Sequence, residues 1–295
     1  MSVKKSIVLT ALLPAAETEQ RIFEMGASTM KAYDLSVIEF YAPWDTAKRR
    51  GDFLKSHGLC GVYLAATYQK RNHSHLCSLG NKERKSAVED AKYCIDAASD
   101  AQVKSILFTS GRRPNDPAQY QSAYSVLVDS FSELMEYAPK TMDVVLEPGD
   151  RDVDAMQLVG PTELAIRFAN DIRKEYPNFF LTMDTSHIAQ LGENALTALR
   201  KASCVCHHVH LANCILQRAN PLYGDKHPLF SCMNGVYDDE ELHAVYDNLV
   251  VMFRQQRKDL TIAVEVISRN GGEFGWMDEV IKGSPWFFSK IIDEE

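Results

Sequence analysis

Residues 205–213, VCHHVHLAN, carry three of the nine histidines of the chain within four consecutive positions. The apolar and β-branched residues of this stretch predict a strand, and side chains alternate between the two faces of a strand. His208 and His210 are therefore expected on one face, and His207 and Val209 on the other. We predict that His207 faces packing helices and has a structural role, while the face that carries His208 and His210 serves another purpose.

Seven other strand-like runs share the length and apolar content of this stretch. They are SIVLTAL (6–12), LSVIEFYA (35–42), LCGVYLAAT (59–67), VKSILFTSG (103–111), DVVLEPG (143–149), FFLTMDTSH (179–187) and LTIAVEVI (260–267). Amphipathic helical patterns lie between them, such as PTELAIRFANDIRKEY (161–176). Eight strand–helix units predict an α/β protein with a single (β/α)8 TIM barrel over residues 1–295. An open doubly wound sheet is the alternative, but TALLPAAE after the first strand lacks the glycine-rich turn of a dinucleotide-binding fold.

The composition is that of an ordinary globular protein, with 45% hydrophobic residues, 24% charged residues and a formal net charge of -8. An acidic surface repels phosphate backbones and anionic membranes, so we expect neither nucleic acid nor a membrane as partner. Seven cysteines without paired spacing predict reduced thiols and a cytoplasmic protein. The N-terminal apolar run is predicted to form the first strand, with a signal peptide as the alternative. The sequence leaves a homo-oligomer open.

Four successive strand-like runs, the fifth to the eighth, end in a residue that can bind a metal. These residues are Glu147, Asp184, His210 and Glu265. The carboxyl ends of barrel strands converge on one mouth, and unpaired carboxylates in apolar runs are costly unless a cation neutralises them. The sequence therefore predicts a divalent metal site, for which Mn²⁺, Co²⁺, Mg²⁺ and Zn²⁺ all suit the donor set. His208, one pleat below His210, is either a buried hydrogen-bonded histidine or a partner that supports His210.

The strand order, together with LEP, DTSH, HVHLAN and VEV on the fifth to eighth strands, resembles the sugar phosphate isomerase/epimerase superfamily. These xylose isomerase-like TIM barrels include ketose 3-epimerases and endonuclease IV. The resemblance implies that Glu147, Asp184, His210 and Glu265 bind one metal ion. It also implies that His187 of the DTSH motif contacts substrate or a second metal.

A long connection of about residues 212–237 follows the seventh strand, and loops at this end of a barrel usually carry function. Its Asp225-Lys226-His227 resembles the Asp-x-His of endonuclease IV, which implies a substrate-binding or second metal site of His187, Asp225 and His227. Two further histidine ligands of endonuclease IV, on the third and fourth strands, have no counterpart in LAATY and LFTSG.

We expect a metal-dependent sugar or sugar phosphate isomerase/epimerase in which Glu147 and Glu265 move a proton through an enediolate. A lyase or dehydratase acting on a keto-sugar or sugar conjugate is the alternative. A nuclease resembling endonuclease IV, or a barrel that binds a sugar without chemistry, is less well supported. Polar residues near the first three strands are expected to shape the pocket. These are Thr10, Glu39, Tyr41 and Trp44.

Overall fold

The computed structural model describes residues 2–269 and 274–289 of the chain. The strands are β1 Val3–Val8, β2 Val37–Phe40, β3 Cys60–Leu64, β4 Ser105–Thr109, β5 Asp143–Glu147, β6 Phe179–Asp184, β7 Cys206–Leu211 and β8 Leu260–Val264. The helices are α1 Leu9–Leu12, α2 Gln20–Ala32, α3 Trp44–Ser56, α4 Ala65–Asn72, α5 Asn81–Asp100, α6 Tyr120–Tyr137, α7 Thr162–Arg173, α8 Thr185–Gln190, α9 Ala195–Ala202, α10 Asp239–Gln256 and α11 Phe274–Gly283. Short 3-10 turns cover Pro14–Glu17 and Pro117–Gln119.

The eight strands form a closed parallel barrel in sequence order. β1 closes the ring against β8, with Val3 opposite Leu260 and Ile7 opposite Val264. Parallel strands need covered faces, and the helices between the strands cover the outer one, so the strands contain mainly buried apolar residues. The predicted (β/α)8 TIM barrel is confirmed, and the open doubly wound alternative is wrong because the sheet has no edge.

In the first and third predicted runs, the chain leaves the strand early and continues as a helix. Residues 9–12 form α1. Leu9 and Leu13, the residue after α1, pack against Gly26 of α2, where an added Cβ would lie 3.0 Å from a methyl group of Leu9 and 2.9 Å from one of Leu13. Likewise β3 stops at Leu64 and the chain continues directly as α4. A short apolar run has no periodicity that separates a strand from a buried helical turn, so these boundaries were not readable from the sequence.

The helices on the outside of the barrel are amphipathic. In α5 the buried positions recur at intervals of three and four residues, among them Ala87, Ala91, Cys94 and Ala98. This periodicity buries one stripe against the barrel and leaves the charged positions to solvent. No helix in residues 2–269 and 274–289 is long and apolar enough to cross a membrane.

The connection from β7 to α10, residues 212–238, is ordered by its own hydrogen bonds. Asn213 donates from Nδ2 to the carbonyl of Tyr237 over 2.6 Å and accepts at Oδ1 from the Tyr237 amide over 3.0 Å, which ties the two ends together. Asp238 and Glu241 then form a capping box that begins α10. These hydrogen bonds close the base of the loop, and its central part extends over the barrel mouth.

The β5–α7 connection, residues 148–161, holds this central part in place. Asp154 accepts hydrogen bonds from the Asp225 amide over 3.1 Å and from Nζ of Lys226 over 3.0 Å. Gly224, with φ +87°, approaches so closely that an added Cβ would lie 2.8 Å from Oδ2 of Asp154. The contact fixes where the Asp225-Lys226-His227 segment lies relative to the barrel.

Candidate metal centre

The four residues predicted as ligands meet at the carboxyl ends of β5 to β8. Nδ1 of His210 lies 3.0 Å from Oε1 of Glu147, 2.9 Å from Oε2 of Glu265 and 4.0 Å from Oδ2 of Asp184. One ligand atom from each residue lies within 4.8 Å of all the others. Residues that are far apart in sequence thus form one cluster, as the barrel topology requires.

Several atoms of this cluster are buried and make no well-aligned hydrogen bond, although Nδ1 of His210 lies close to Glu147 and Glu265. They are Oε1 of Glu147, Oδ2 of Asp184 and Nδ1 of His210. A buried polar atom without a partner costs about 1–3 kcal/mol, and more if it is charged. Three such atoms pointing at one another, with a further carboxylate from Glu265, fit the mostly oxygen donor set of a divalent cation. The residues present therefore fit a metal ion.

Asp184 has two roles because it is the last residue of β6 and the N-cap of α8. Its Oδ1 accepts hydrogen bonds from the amides of Ser186 over 2.6 Å and His187 over 3.1 Å, which caps the helix. Its Oδ2 remains directed at the cluster. The DTSH sequence thereby fixes the orientation of one carboxylate through the backbone that follows it.

Glu39 of β2 contacts the cluster from the interior of the barrel. Its Oε2 lies 3.0 Å from Nε2 of His210, and its Oε1 lies 2.8 Å from Nε2 of His208 and accepts a hydrogen bond from Ser6 over 2.8 Å. Glu39 is fully buried. His208 therefore faces the barrel interior with His210, as the alternation predicted, and both rings contact the same carboxylate.

The second predicted group, His187, Asp225 and His227, lies beside the first. Oδ1 of Asp225 is 2.5 Å from Nε2 of His227 and 4.0 Å from Nε2 of His187. Nδ1 of His227 is 4.0 Å from Oδ2 of Asp184 and 3.9 Å from Oε2 of Glu265. The long loop thus returns to the barrel mouth, where Asp225 holds His227 beside the four-residue cluster and His187 lies next to them.

Burial and neighbouring charges shift the pKa values of the ionisable groups at the barrel mouth in opposite directions. Burial raises the pKa of the Glu147 carboxyl, which His210 offsets only in part. Burial acts in the same direction on Glu265, but His227 and His210 outweigh it and hold the Glu265 pKa below its ordinary value. Burial opposes the charged form of His227, yet Glu265 and Asp225 raise its pKa to about 10. The mouth therefore contains buried groups of both signs of charge in close contact.

His207 points away from the site, as predicted. Its ring centroid lies 4.0 Å from that of Phe180, and its Nε2 lies 3.5 Å from Oδ2 of Asp143. Of the pocket residues predicted near the first strands, Trp44 turns outward, since its indole nitrogen donates to Asp100 over 2.6 Å.

Three residues of the site were missed or left without a role by sequence reasoning. Glu39 was named only as a pocket residue, although VIEF places a carboxylate in an apolar strand just as VVLE does at Glu147, and the same burial argument would have found it. Lys70, 3.7 Å from Oδ2 of Asp225, and Asp154 carry no recognisable signal because their contacts depend on how the loops fold.

The ends of β3 and β4 contribute no ligand. Within residues 2–269 and 274–289, the three groups of His, Cys, Asp or Glu that could hold a metal come from β2, β5, β6 and β7, from α8, and from the connections after β7 and β8. Between the ends of these two strands, Gln69 of α4 accepts a hydrogen bond from the Thr109 amide over 2.8 Å and donates to the Thr109 carbonyl over 3.2 Å. The histidine ligands that endonuclease IV has on these strands are absent from the described cluster.

The closed barrel and the carboxylate–imidazole cluster at its mouth define the class of protein as a xylose isomerase-like barrel. The family model of the xylose isomerase-like TIM barrel matches residues 20–230, more than half of the chain. The protein belongs to this family. A search of curated proteins finds no match.

Solved structures with the same fold include several sugar epimerases. A D-tagatose 3-epimerase-like protein is 16% identical, with a TM-score of 0.67 over 95% of this chain and 98% of its own. The 3-keto-D-glucoside 4-epimerase YcjR from E. coli is 16% identical, with a TM-score of 0.65 over 97% and 98%. A D-psicose 3-epimerase from Clostridium cellulolyticum H10, solved with D-tagatose, is 14% identical, with a TM-score of 0.67 over 97% and 99%. At these identities the likeness concerns the fold.

Proposed function

We propose that the protein is a divalent-metal-dependent isomerase or epimerase that acts on a sugar or sugar phosphate. The observation that carries the proposal is the convergence of three buried ligand atoms without a well-aligned hydrogen bond, from Glu147, Asp184 and His210, with the carboxylate of Glu265. Such a set is costly in an empty pocket and favourable around a cation. The fold it shares with structures described as ketose and keto-glucoside epimerases supports the same class of substrate.

The four ligands are Glu147, Asp184, His210 and Glu265, and Mn²⁺, Co²⁺, Mg²⁺ and Zn²⁺ are all compatible with them. A bound ion would polarise the substrate carbonyl and acidify the adjacent C–H bond. His210 must give up a proton to become a ligand, and its pKa is raised well above its ordinary value because Glu39 and Glu147 outweigh burial. Metal binding is therefore expected to release a proton.

Two carboxylates can move the substrate proton. Glu147 approaches from β5 and Glu265 from the far side of the barrel after β8, and both lie within about one hydrogen-bond length of Nδ1 of His210. One carboxylate removes the proton next to the carbonyl, and the product depends on where a proton returns to the enediolate. Return to the opposite face of the same carbon gives an epimer, and return to the neighbouring carbon gives an aldose–ketose isomer.

A lyase or dehydratase is the second candidate, and the group of His187, Asp225 and His227 favours it. An imidazole held by a buried carboxylate can donate a proton to a departing oxygen. His227 lies 3.9 Å from Glu265, so proton removal and departure of a leaving group could occur in one site. The enediolate would then lose the group β to the carbonyl instead of being reprotonated on carbon.

The test combines metal analysis with solvent exchange. The purified protein is expected to carry a divalent metal and to introduce deuterium from D₂O next to the carbonyl of at least one ketose or ketose phosphate. A chelator should abolish the exchange, and Mn²⁺ or Co²⁺ should restore it. Loss of water from a substrate, detected by mass spectrometry, would favour the dehydratase. A protein that binds no metal and exchanges no hydrogen would contradict both candidates.

Replacing His227 by alanine is expected to lower kcat/KM at least about tenfold, which corresponds to about 1.4 kcal/mol in the transition state. The reason is that His227 contacts the substrate side of the cluster without being one of its four ligands. The primary metal should remain bound, as measured by elemental analysis.

The matched control is His207→Leu, a histidine that lies outside the site. This variant should change the melting temperature and leave turnover unchanged. If His227→Ala keeps wild-type kcat/KM, the loop does not contribute to the chemistry.

A further inference from the structure

Glu39 is a charged residue at the centre of the barrel rather than at its mouth. It is fully buried, and its partners are on β7, which β8 and β1 separate from β2 around the ring. Its side chain therefore crosses the barrel interior, where an uncompensated carboxylate would cost several kcal/mol. Its two oxygens instead face the imidazoles of His208 and His210.

Both oxygens of Glu39 are occupied, and they serve different residues. Oε1 lies 2.8 Å from His208 and accepts from Ser6, while Oε2 lies 3.0 Å from His210. These three ligand-type residues, Glu39, His208 and His210, lie close enough to hold a metal. Their facing atoms are already at hydrogen-bonding distance, however, and no atom of Glu39 is among the buried polar atoms without a partner in the described chain. The group is thus a hydrogen-bond network rather than an ion site.

The hydrogen bond to Glu39 decides which nitrogen of His210 is available. Nε2 of His210 lies 3.0 Å from Oε2 of Glu39, and a carboxylate oxygen accepts hydrogen bonds, so Nε2 is the nitrogen that carries the proton. A ligating imidazole binds metal through its unprotonated nitrogen, which leaves Nδ1. Nδ1 is the atom that faces Glu147, Asp184 and Glu265.

We propose that Glu39 is a positioning residue of the metal centre. It fixes the His210 ring with Nδ1 toward the ion and makes that nitrogen a stronger electron-pair donor to the metal. The inference rests on the metal site of the proposed function and extends it to a residue that does not touch the ion. His208 and Ser6 occupy Oε1 and thereby turn Oε2 toward His210. This arrangement explains why β7 carries two inward histidines: one binds the metal, and the other orients the carboxylate that supports it.

The experiment is the Glu39→Gln substitution, which keeps the size of the side chain and removes its charge. Protein stripped with a chelator is titrated with Co²⁺ by calorimetry, and the visible spectrum of the Co²⁺ form is recorded without substrate. Loss of a carboxylate behind a metal-bound histidine typically weakens metal affinity roughly 10- to 100-fold, which is the expected increase in Kd. The Co²⁺ absorption bands should shift as well, because the donor strength of His210 changes.

Ser130→Ala is the matched control, since Ser130 is as buried as Glu39 but donates to the Leu76 carbonyl, outside the cluster. This variant should retain the wild-type Kd and Co²⁺ spectrum. A folded Glu39→Gln protein with the wild-type Kd and spectrum would overturn the positioning role and leave the metal site intact. A wild-type protein that binds no Co²⁺ would contradict the proposed function as well.

A measurement on the wild-type protein covers the case in which Glu39→Gln does not fold. Long-range ¹H–¹⁵N correlation spectra of the Zn²⁺-loaded protein report the tautomer of each histidine. His210 is expected to carry its proton on Nε2 and to bind metal through Nδ1. Coordination through Nε2 would exclude the hydrogen bond to Glu39 and overturn the inference.

Discussion

Replacing Asp184 by asparagine is expected to remove the bound metal and lower turnover at least about a thousandfold, because Lewis-acid stabilisation is worth several kcal/mol. Asparagine can still accept the two amide hydrogen bonds that begin α8, so the helix should persist. With Oδ1 held there, the position of Oδ2 is taken by an NH₂ group, which has no lone pair to offer a cation. Elemental analysis and circular dichroism would check the loss of metal and the retention of fold.

Asp238→Asn is the control for this substitution, since Asp238 caps α10 in the same way but lies outside the cluster. It should retain metal and activity. A chelator should lower the melting temperature of the wild-type protein, which is stabilised by its ligand, and have no effect on Asp184→Asn. Full metal occupancy in Asp184→Asn would show that the four-residue cluster is not the binding site.

The barrel and its main cluster were predictable because parallel strands convert chain order into position. Once the fifth to eighth apolar runs are strands of one closed barrel, Glu147, Asp184, His210 and Glu265 must meet at one end, whatever the loops do. Alternation along β7 then separates His208 from His207. These conclusions need only local patterns and one topological rule.

The remaining parts of the site depend on contacts that no local pattern encodes. The partners of Glu39 lie 169 and 171 residues away, on a strand that is not its neighbour in the barrel. The position of Asp225 depends on Asp154 in the β5–α7 connection and on Lys70 in α4. Such pairings follow from the relative placement of loops, which sequence spacing does not determine.

Glu147 is proposed both as a metal ligand and as an acid/base group, so its test must separate the two roles. Glu147 is buried, and its Oε1 faces Nδ1 of His210 over 3.0 Å. Glutamine in its place keeps the carbonyl-type oxygen that can approach a cation but cannot accept the substrate proton. Measurements at saturating Mn²⁺ therefore isolate the loss of proton transfer from a loss of metal affinity.

Glu147→Gln is expected to lower turnover about 10²- to 10⁴-fold at saturating Mn²⁺, the usual contribution of a general acid or base. If Glu147 and Glu265 act on opposite faces of one carbon, this variant should stop interconversion of the two epimers in both directions. Deuterium exchange from D₂O should disappear only for the epimer whose hydrogen faces Glu147, and Glu265→Gln should show the opposite preference. Binding of substrate, measured by calorimetry, should persist in both variants because the remaining ligands and the ion still chelate it. Undiminished turnover in Glu147→Gln would rule out its acid/base role, and exchange lost for both epimers in that variant alone would point to a single base that serves both faces.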